Sequence, residues 1–318
     1  MREKVLIINS DADWFVSQLS AAYPTFSFSA AQSSEQAMET APKADILIGL
    51  APALSEPLLL SMTNLKWIHA LTTGVDNLVN SSSLSPDVFL SNSSGFHGPQ
   101  MSELAVLLML STLRDYPRML ENQKAKRWER WPQPLLYGRT ACIVGLGSIA
   151  EALVERLLAF GMTVTGVSDG RSRVPGVARV YRRSELVIAA GDTDFLIVLV
   201  PYSAGTHHLV NDAVIAAMRP DAILINLSRG GCVDEDALTK HIQAGTIRAA
   251  ALDVFEQEPL PKDNALWGTP GITLTPHIGG MSDIYREQVL PSVINNLNAW
   301  ARGGGSALPD RIKHGETR

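Results

Sequence analysis

The sequence has little cysteine, no excess of basic residues and no long hydrophobic run. Two cysteines among 318 residues exclude a disulfide framework, and no CxxC or HExxH motif suggests a structural metal. A net charge of −5 argues against a nucleic-acid partner, because such binding depends on clustered basic residues. No apolar run approaches the roughly 20 residues of a membrane span. We therefore expect a cytoplasmic protein without a membrane, nucleic-acid or metal partner.

The composition predicts a globular chain with an ample core. Hydrophobic residues make up 46% of the sequence, and its length allows one large domain or two of ordinary size. The first eight residues, MREKVLII, lack the long hydrophobic region of a secretory signal and are typical of a first strand.

One stretch has the order strand, glycine turn, helix, strand. The apolar run Ala141–Val144 is typical of a strand buried on both faces. Apolar residues between Ala150 and Leu158 recur at the spacing of a helix with one buried face. The segment Met162–Val167 then predicts the next strand, so the stretch indicates one unit of a Rossmann fold.

The turn of this unit carries the pattern Gly145-x-Gly147-x-x-Ala150. The first glycine permits a tight turn, the second lets the backbone approach a pyrophosphate, and the alanine allows close helix–strand packing. The helix N-terminus, at Ser148 and Ile149, offers N–H groups to phosphates. The pattern in this context predicts dinucleotide binding, and the alternative is a Rossmann turn without a ligand.

Strands alternate with helical intervals along most of the chain, which predicts two doubly wound parallel sheets. The interval between the first two strands is polar and compatible with helix. The remaining predicted strands are Lys4–Asn9, Asp45–Gly49, Leu65–Leu71, Val88–Ser91, Phe195–Val200, Ala222–Leu227, Ala249–Val254 and Ile272–Thr275.

Four further segments have simpler patterns. Residues 92–99 are turn-rich and predict a crossing between domains. Met101–Leu113 is apolar on nearly all faces and predicts a helix buried between domains or subunits. Pro291 would kink a last helix if it lay inside one, which the sequence leaves open. Gly303–Gly305 and the polar tail to Arg318 are expected to be loose.

Three titratable or charged side chains follow the late strands, where loops at the carboxyl ends should meet. The planar fork of Arg229 suits binding of a carboxylate and polarisation of a carbonyl. His277 suits proton donation near neutral pH, and the Glu258 carboxylate would favour its imidazolium form. Asp253, at the end of its strand, could receive a nicotinamide carboxamide.

Five motifs stand in order along the chain: Thr73-Gly74-Val75-Asp76, Gly145-x-Gly147-x-x-Ala150, Ile225–Gly231, Ala251–Pro259 and Thr275–Gly280. Through these motifs, from about Leu65 to about Gly303, the chain resembles the D-isomer-specific 2-hydroxyacid dehydrogenases. The resemblance implies a flavodoxin-like substrate-binding domain at residues 1–92 plus about 284–318, made discontinuous by the last helix. It also implies a Rossmann NAD(P)-binding domain at residues 93–283, and a homodimer joined through it.

The resemblance also implies roles for individual residues. Arg229, Glu258 and His277 match the family's catalytic triad. The loop Thr73-Gly74-Val75 would bind the substrate carboxylate through backbone N–H groups, with Thr73 near the nicotinamide. Further cofactor contacts would come from Pro201, Thr206, Leu227, Asp253, Gly279 and Gly280.

The chain departs from the family pattern at Ser168, where an acid would hold the adenosine ribose and favour NAD. Serine with Arg171 and Arg173 nearby is suited to the 2′-phosphate of NADP, whereas Asp169 keeps NAD possible. NADP is slightly favoured by this placement of charge.

These features predict reduction of a small 2-keto acid, such as glyoxylate or hydroxypyruvate, by hydride transfer from NAD(P)H. One alternative is a non-catalytic, dinucleotide-sensing interaction protein of the same fold. Another is a related dehydrogenase acting on phosphite, formate or a phosphorylated hydroxyacid.

The remaining histidines and two tryptophans carry weaker signals. His69, in an apolar strand, is predicted to be structural, and His207 and His208 to lie at a surface turn. The roles of His97, Trp128 and Trp131 are left open. Burial in an interface is favoured for the two tryptophans.

Overall fold

The computed structural model describes residues 2–313 and divides into two compact units, Met1–Phe96 with Ser282–Arg318 and His97–Met281. The end of the tail that was expected to be loose, residues 314–318, lies outside the described residues. Within residues 2–313, no helix is both long and apolar enough to cross a membrane.

The strands of the described chain are short and mostly buried. In order they are β1 Glu3–Ile8, β2 Phe26–Ala31, β3 Ile46–Gly49, β4 Trp67–Ala70, β5 Phe89–Asn92, β6 Thr140–Val144, β7 Thr163–Val167, β8 Arg179–Tyr181, β9 Phe195–Val198, β10 Ile223–Asn226, β11 Ala249–Leu252, β12 Ile272–Leu274 and β13 Arg311–Ile312.

Helices occupy most of the intervals between strands. In order they are α1 Ala12–Ser20, α2 Ser34–Ala37, α3 Glu56–Ser61, α4 Asp76–Val79, α5 Gly98–Leu113, α6 Tyr116–Lys124, α7 Ser148–Ala159, α8 Leu186–Gly191, α9 Asp212–Ala217, α10 Glu235–Gln243 and α11 Tyr285–Gly303. Short 3-10 turns lie at Ala41–Lys43, Ala51–Ala53, Arg183–Glu185, Gly230–Cys232, Ala265–Gly268 and Gly304–Ala307.

The first unit is a sheet of order β2-β1-β3-β4-β5-β13, parallel except for β13. Without β13 this is the flavodoxin-like order 2-1-3-4-5. Side chains of β1 alternate between two cores, Val5 and Ile7 on one face, Leu6 and Ile8 on the other. Helix α11 packs on the Val5 face. Burial on both faces explains why such strands are apolar throughout.

The second unit is a parallel sheet of order β8-β7-β6-β9-β10-β11-β12. Its first six strands have the Rossmann order 3-2-1-4-5-6. Strand β6 is central, with Cys142 and Val144 in one core and Ala141 and Ile143 in the other. Polar loops therefore leave the carboxyl ends of neighbouring strands at one edge. The predicted fold class, two doubly wound parallel-sheet domains, is confirmed.

Three strands were not predicted from the sequence, β2, β8 and β13, and all three lie at sheet edges. Strand β2 falls in the stretch that was interpreted as polar and helix-compatible, and it pairs only with β1. Its sequence, FSFSAA, has the alternation of a half-exposed strand rather than the continuous apolar run of a central one. Strand β8 has only three residues, RVY, too short for any period to show.

The expectation of a loose tail is wrong for its described part. Residues Gly304–Ala307 form a 3-10 turn in which Gly305 is buried. Beyond it β13 pairs antiparallel with β5, and Leu308 and Ile312 enter the core. Burial of these two apolar side chains fixes a segment whose composition is otherwise polar.

Helices α11 and α5 bear on two predictions, the position of Pro291 and the burial of Met101–Leu113. Pro291 lies inside α11. Helix α5 includes the predicted segment Met101–Leu113 and packs against α7, but it is not buried all round, because Leu107 is 59% exposed.

Candidate active site

His277 and Glu258 form a hydrogen-bonded pair in the second unit. His277 Nδ1 lies 2.6 Å from Glu258 Oε2, and Glu258 Oε1 accepts the Phe255 N–H at 2.9 Å. Burial alone would raise the pKa of Glu258, but the hydrogen bonds from His277 and Phe255 hold that pKa below its ordinary value. Glu258 is therefore a carboxylate at neutral pH, placed to stabilise an imidazolium at His277.

The backbone of His277 is held in an uncommon conformation by Asp253. His277 has φ of 52°, in the left-handed region that non-glycine residues seldom adopt. Buried Asp253 accepts the Thr275 hydroxyl at 2.6 Å, the Ile278 N–H at 3.0 Å and the Gly279 N–H at 2.9 Å. Three bonds on both sides of His277 fix its loop, so the structure gives Asp253 a positioning part besides any contact with cofactor.

Arg229 follows β10 and lies beside the Glu258 loop. Its Nη1 donates to the Ser228 carbonyl at 2.7 Å, and its charge contributes to lowering the pKa of Glu258. A Cβ placed on Gly230 would lie 1.8 Å from the Phe255 carbonyl carbon, so the two loops touch backbone to backbone. This contact brings all three predicted catalytic residues together.

The glycine turn after β6 fits a dinucleotide phosphate. Gly145 has φ of 100°, and a Cβ there would lie 2.9 Å from the Leu199 carbonyl and the Val200 nitrogen. A Cβ on Gly147 would meet no described atom within 4 Å, so packing does not demand glycine there. The open space lies where α7 begins with Ser148, whose first-turn N–H groups favour an anion.

The charged residues after β7 are paired in a way that bears on cofactor choice. Ser168 Oγ accepts the Arg171 N–H at 3.1 Å. Arg171 Nη1 donates to the Leu146 carbonyl at 2.9 Å and lies 2.5 Å from Glu151 Oε1. Asp169 Oδ1 accepts the Arg183 N–H at 2.9 Å, and its Oδ2 lies 3.4 Å from Arg183 Nε.

The other predicted cofactor residues lie on loops and turns at the same edge. Thr206 is buried, and its hydroxyl shapes the loop after β9 by donating to the Pro201 carbonyl at 2.8 Å and accepting the Ser203 N–H at 2.7 Å. Leu227 directly follows β10 and is buried. Gly279 is buried against α5, and Gly280 lies beside His97.

The predicted substrate loop belongs to the first unit, between β4 and α4. Thr73 Oγ1 donates to the Ser93 carbonyl at 2.9 Å, and Asn92 Nδ2 donates to the Thr73 carbonyl at 2.6 Å. The N–H groups of Gly74 and Val75 donate to no group within residues 2–313.

The histidines and tryptophans without an assigned role differ in their surroundings. His97 precedes α5, where burial lowers its pKa to about 4. Trp128 is 91% exposed, and Trp131 lies under the Arg118 guanidinium at 4.4 Å. His69 is fully buried, in agreement with a structural role. Among the described residues, no group of three His, Cys, Asp or Glu side chains is arranged to hold a metal.

Two residues at this edge were missed by the sequence analysis. Arg183 pairs with Asp169, but it follows β8, and without that strand its position at the edge could not be seen. Thr275 bonds Asp253 across two neighbouring strands, a contact that only sheet pairing creates. In the sequence, the basic pair Arg182-Arg183 is the signal that could have pointed to Arg183.

The family match and the similar known sequences point to the same family. Residues 106–279 match the family described as D-isomer specific 2-hydroxyacid dehydrogenase, NAD binding domain. D-3-phosphoglycerate dehydrogenase of Methanocaldococcus jannaschii is 33% identical over 276 residues, 85% of this chain and 52% of its own length. The chain thus spans about half of that relative. Glyoxylate/hydroxypyruvate reductase B of Klebsiella pneumoniae is 33% identical over 82% of this chain and 83% of its own length.

Solved structures show the same fold over the whole chain. A D-isomer specific 2-hydroxyacid dehydrogenase family protein of Aeromonas salmonicida has a TM-score of 0.89 and 31% identity, covering 98% of this chain and 99% of its own. An NADPH-dependent glyoxylate/hydroxypyruvate reductase of Sinorhizobium meliloti, in complex with NADP and malonate, has a TM-score of 0.77 and 28% identity, covering 100% and 99%. The chain belongs to the D-isomer specific 2-hydroxyacid dehydrogenase family, a family of NAD(P)-dependent oxidoreductases, as its motifs predict.

Proposed function

We propose that the protein reduces a small 2-keto acid to a D-2-hydroxy acid, or catalyses the reverse oxidation. The observation that carries this proposal is the 2.6 Å pair of His277 and Glu258 beside Arg229 in one unit. A proton donor, its carboxylate partner and a carbonyl-polarising cation are what reduction of a keto group needs from the protein.

In the proposed reaction each side chain has one task. The guanidinium of Arg229 binds the keto acid and draws electron density toward the carbonyl oxygen. His277, paired through Nδ1 with Glu258, donates its Nε2 proton to the alkoxide that develops there. Asp253 keeps His277 in place through Thr275, Ile278 and Gly279.

We assign the nicotinamide dinucleotide to the edge of the second unit at Gly145 and Gly147. When bound, it supplies the hydride that reduces the carbonyl carbon. The first turn of α7, with Ser148 and Ile149, would hold the pyrophosphate. The loops carrying Pro201, Thr206, Leu227, Asp253, Gly279 and Gly280 would contact the remainder, as the family match predicts.

NADP is the favoured cofactor. Asp169, the acid that would favour NAD, is paired with Arg183, so its charge is countered. Ser168 and Arg171 then present a neutral and a cationic group where the 2′-phosphate would lie. Glu151 competes for Arg171, but both side chains are partly exposed, at 48% and 38%, and such pairs contribute only about 0–1 kcal/mol. The Sinorhizobium meliloti structure that contains NADP supports this choice.

In the first unit we propose that Thr73, Gly74 and Val75 bind the substrate carboxylate through backbone N–H groups. We therefore assign substrate binding to the first unit and NAD(P) binding to the second, to which the family match at residues 106–279 belongs. Glyoxylate and hydroxypyruvate are the favoured substrates, since relatives so named cover most of the chain. The likeness to D-3-phosphoglycerate dehydrogenase supports a phosphorylated hydroxyacid as the second candidate.

We also propose a cytoplasmic homodimer joined through the second unit. Large apolar side chains are exposed there, Leu107 at 59%, Trp128 at 91% and Tyr137 at 76%, and aromatic residues are enriched at subunit interfaces. The two buried free thiols, Cys142 and Cys232, suit a reducing compartment. A monomeric mass by analytical ultracentrifugation would exclude the dimer.

The function is tested by the loss of nicotinamide absorbance with NADPH and NADH. The panel consists of glyoxylate, hydroxypyruvate, pyruvate, a phenyl-substituted keto acid and 3-phosphohydroxypyruvate, with phosphite and formate assayed in the oxidative direction. Turnover of an unphosphorylated keto acid supports the proposal, and a preference for the phosphorylated one supports the second candidate. Cofactor binding without any turnover would overturn both in favour of a sensing protein.

A further inference from the structure

A histidine lies in the core of the first unit with both ring nitrogens bonded. His69 of β4 has no exposed surface, and its strand neighbours Trp67, Ile68 and Ala70 are equally buried. His69 Nδ1 lies 2.8 Å from Ser91 Oγ, and Nε2 lies 3.0 Å from Ser93 Oγ. Because burial lowers the pKa of His69 to about 3, the ring is neutral near pH 7, with one donor and one acceptor nitrogen.

One end of this chain of bonds is fixed in the sheet. Ser91 Oγ accepts the Trp67 indole N–H at 2.9 Å as well as facing His69. Trp67 stacks on Trp300 of α11 with ring centroids 4.9 Å apart. The Trp67 ring also packs against the His69 ring, with centroids 5.8 Å apart, so packing holds the His69 ring even without the Ser91 hydroxyl.

The other end reaches the proposed substrate loop. Ser93 donates its backbone N–H to the Thr72 carbonyl at 3.3 Å, and its own carbonyl accepts the Thr73 hydroxyl at 2.9 Å. The side chain of Ser93 is in turn held by His69. A single residue therefore connects the core histidine with two successive residues of the loop.

We propose that His69 is a positioning residue that fixes the Thr72–Val75 loop through Ser93. This inference rests on the substrate-binding role proposed for that loop. A carboxylate bound by backbone N–H groups tolerates little displacement, about 0.5 Å, and loops need support from rigid elements to hold such geometry. An apolar residue at position 69 would fill the core without supplying that support. The need for that support explains why a hydrogen-bonded histidine lies in β4, whose other residues are apolar.

The test compares Ser93→Ala with Ser91→Ala. Each variant removes one buried hydroxyl that faces His69, so both should lower the thermal midpoint. Ser93→Ala frees from His69 the residue whose backbone bonds Thr72 and Thr73, whereas Ser91 bonds neither of them. We expect Ser93→Ala to raise the KM for the keto acid roughly five- to tenfold, the loss typical of one anchoring hydrogen bond. Ser91→Ala should leave KM within about twofold, and neither should change NADPH affinity.

A second comparison makes the chain of bonds explicit. His69→Leu should raise KM as Ser93→Ala does, and the double variant should be no worse than His69→Leu alone, since both break one connection. Hydrogen exchange of residues 71–76 should quicken in Ser93→Ala but not in Ser91→Ala, whether or not a substrate is known.

The outcomes separate this inference from the proposed function. Equal KM and exchange changes in the two serine variants, or additive effects in the double variant, would overturn the role of His69. No turnover by the wild type would overturn the proposed function, and loop exchange would then decide the positioning role by itself.

Discussion

Replacing His277 with asparagine isolates the proposed proton donor. His277 lies in the left-handed region, with φ of 52°, which asparagine tolerates better than most residues. The backbone should therefore keep its conformation. The lost pair with Glu258 is partly exposed, at 45% and 34% of the two side chains, so its removal should cost at most about 1 kcal/mol. We expect the thermal midpoint to fall by no more than roughly 4 °C.

The effect on turnover should be far larger than the effect on stability. Removing a positioned general acid typically costs a factor of about 10² to 10⁴, or roughly 3–5 kcal/mol of activation free energy. We therefore expect kcat for keto-acid reduction to fall by that factor. The Kd for NADPH, followed by nicotinamide fluorescence, should stay within about twofold, since the glycine turn after β6 is untouched.

The chain contains a matched control. His208 also has positive φ, 47°, and its Nε2 lies 2.8 Å from Glu256 Oε1, so His208→Asn makes the same change in the same unit. We expect it to retain nearly full turnover. His277 is not the proton donor if His277→Asn keeps kcat within about fivefold of wild type, or if cofactor affinity collapses together with turnover.

Three further predictions follow from the same site. Glu258→Gln should lower kcat for keto-acid reduction by roughly tenfold or more, because a neutral amide replaces the carboxylate that pairs with His277. The wild-type carboxylate, whose pKa is lowered, should stay ionised into more acidic solution than an ordinary glutamate, and an unchanged kcat in Glu258→Gln would contradict its role. Arg171→Ala should raise the KM for NADPH at least about tenfold more than that for NADH, and equal changes would rule out a 2′-phosphate contact. Gly230→Ala should destabilise the protein by about 3 kcal/mol, lowering the thermal midpoint by roughly 5–10 °C, because its Cβ cannot avoid the Phe255 backbone. Gly268→Ala, with no described atom within 4 Å of the new Cβ, is its control and should leave the midpoint nearly unchanged.

The strands buried at sheet centres could be predicted because burial on both faces requires a continuous run of apolar residues. Strands β9 and β11, and β6 from Ala141 onward, are apolar and buried throughout, the composition typical of central parallel strands. Edge strands need no such composition, so FSFSAA in β2 and RVY in β8 were missed. The missed β8 concealed Arg183, and with it the pairing that bears on cofactor choice.

The fold class, the family and the glycine turn can be predicted from the sequence, because each depends on residue types at short, fixed spacings. Which groups touch across neighbouring strands is visible only in the folded chain. There Asp253 accepts hydrogen bonds from the backbone next to His277, and Asp169 forms an ion pair with Arg183. His69 is connected with the Thr72–Val75 loop through its contact with Ser93. The reason is that hydrogen bonds between distant residues depend on sheet register and loop path, and neither is encoded in any local period.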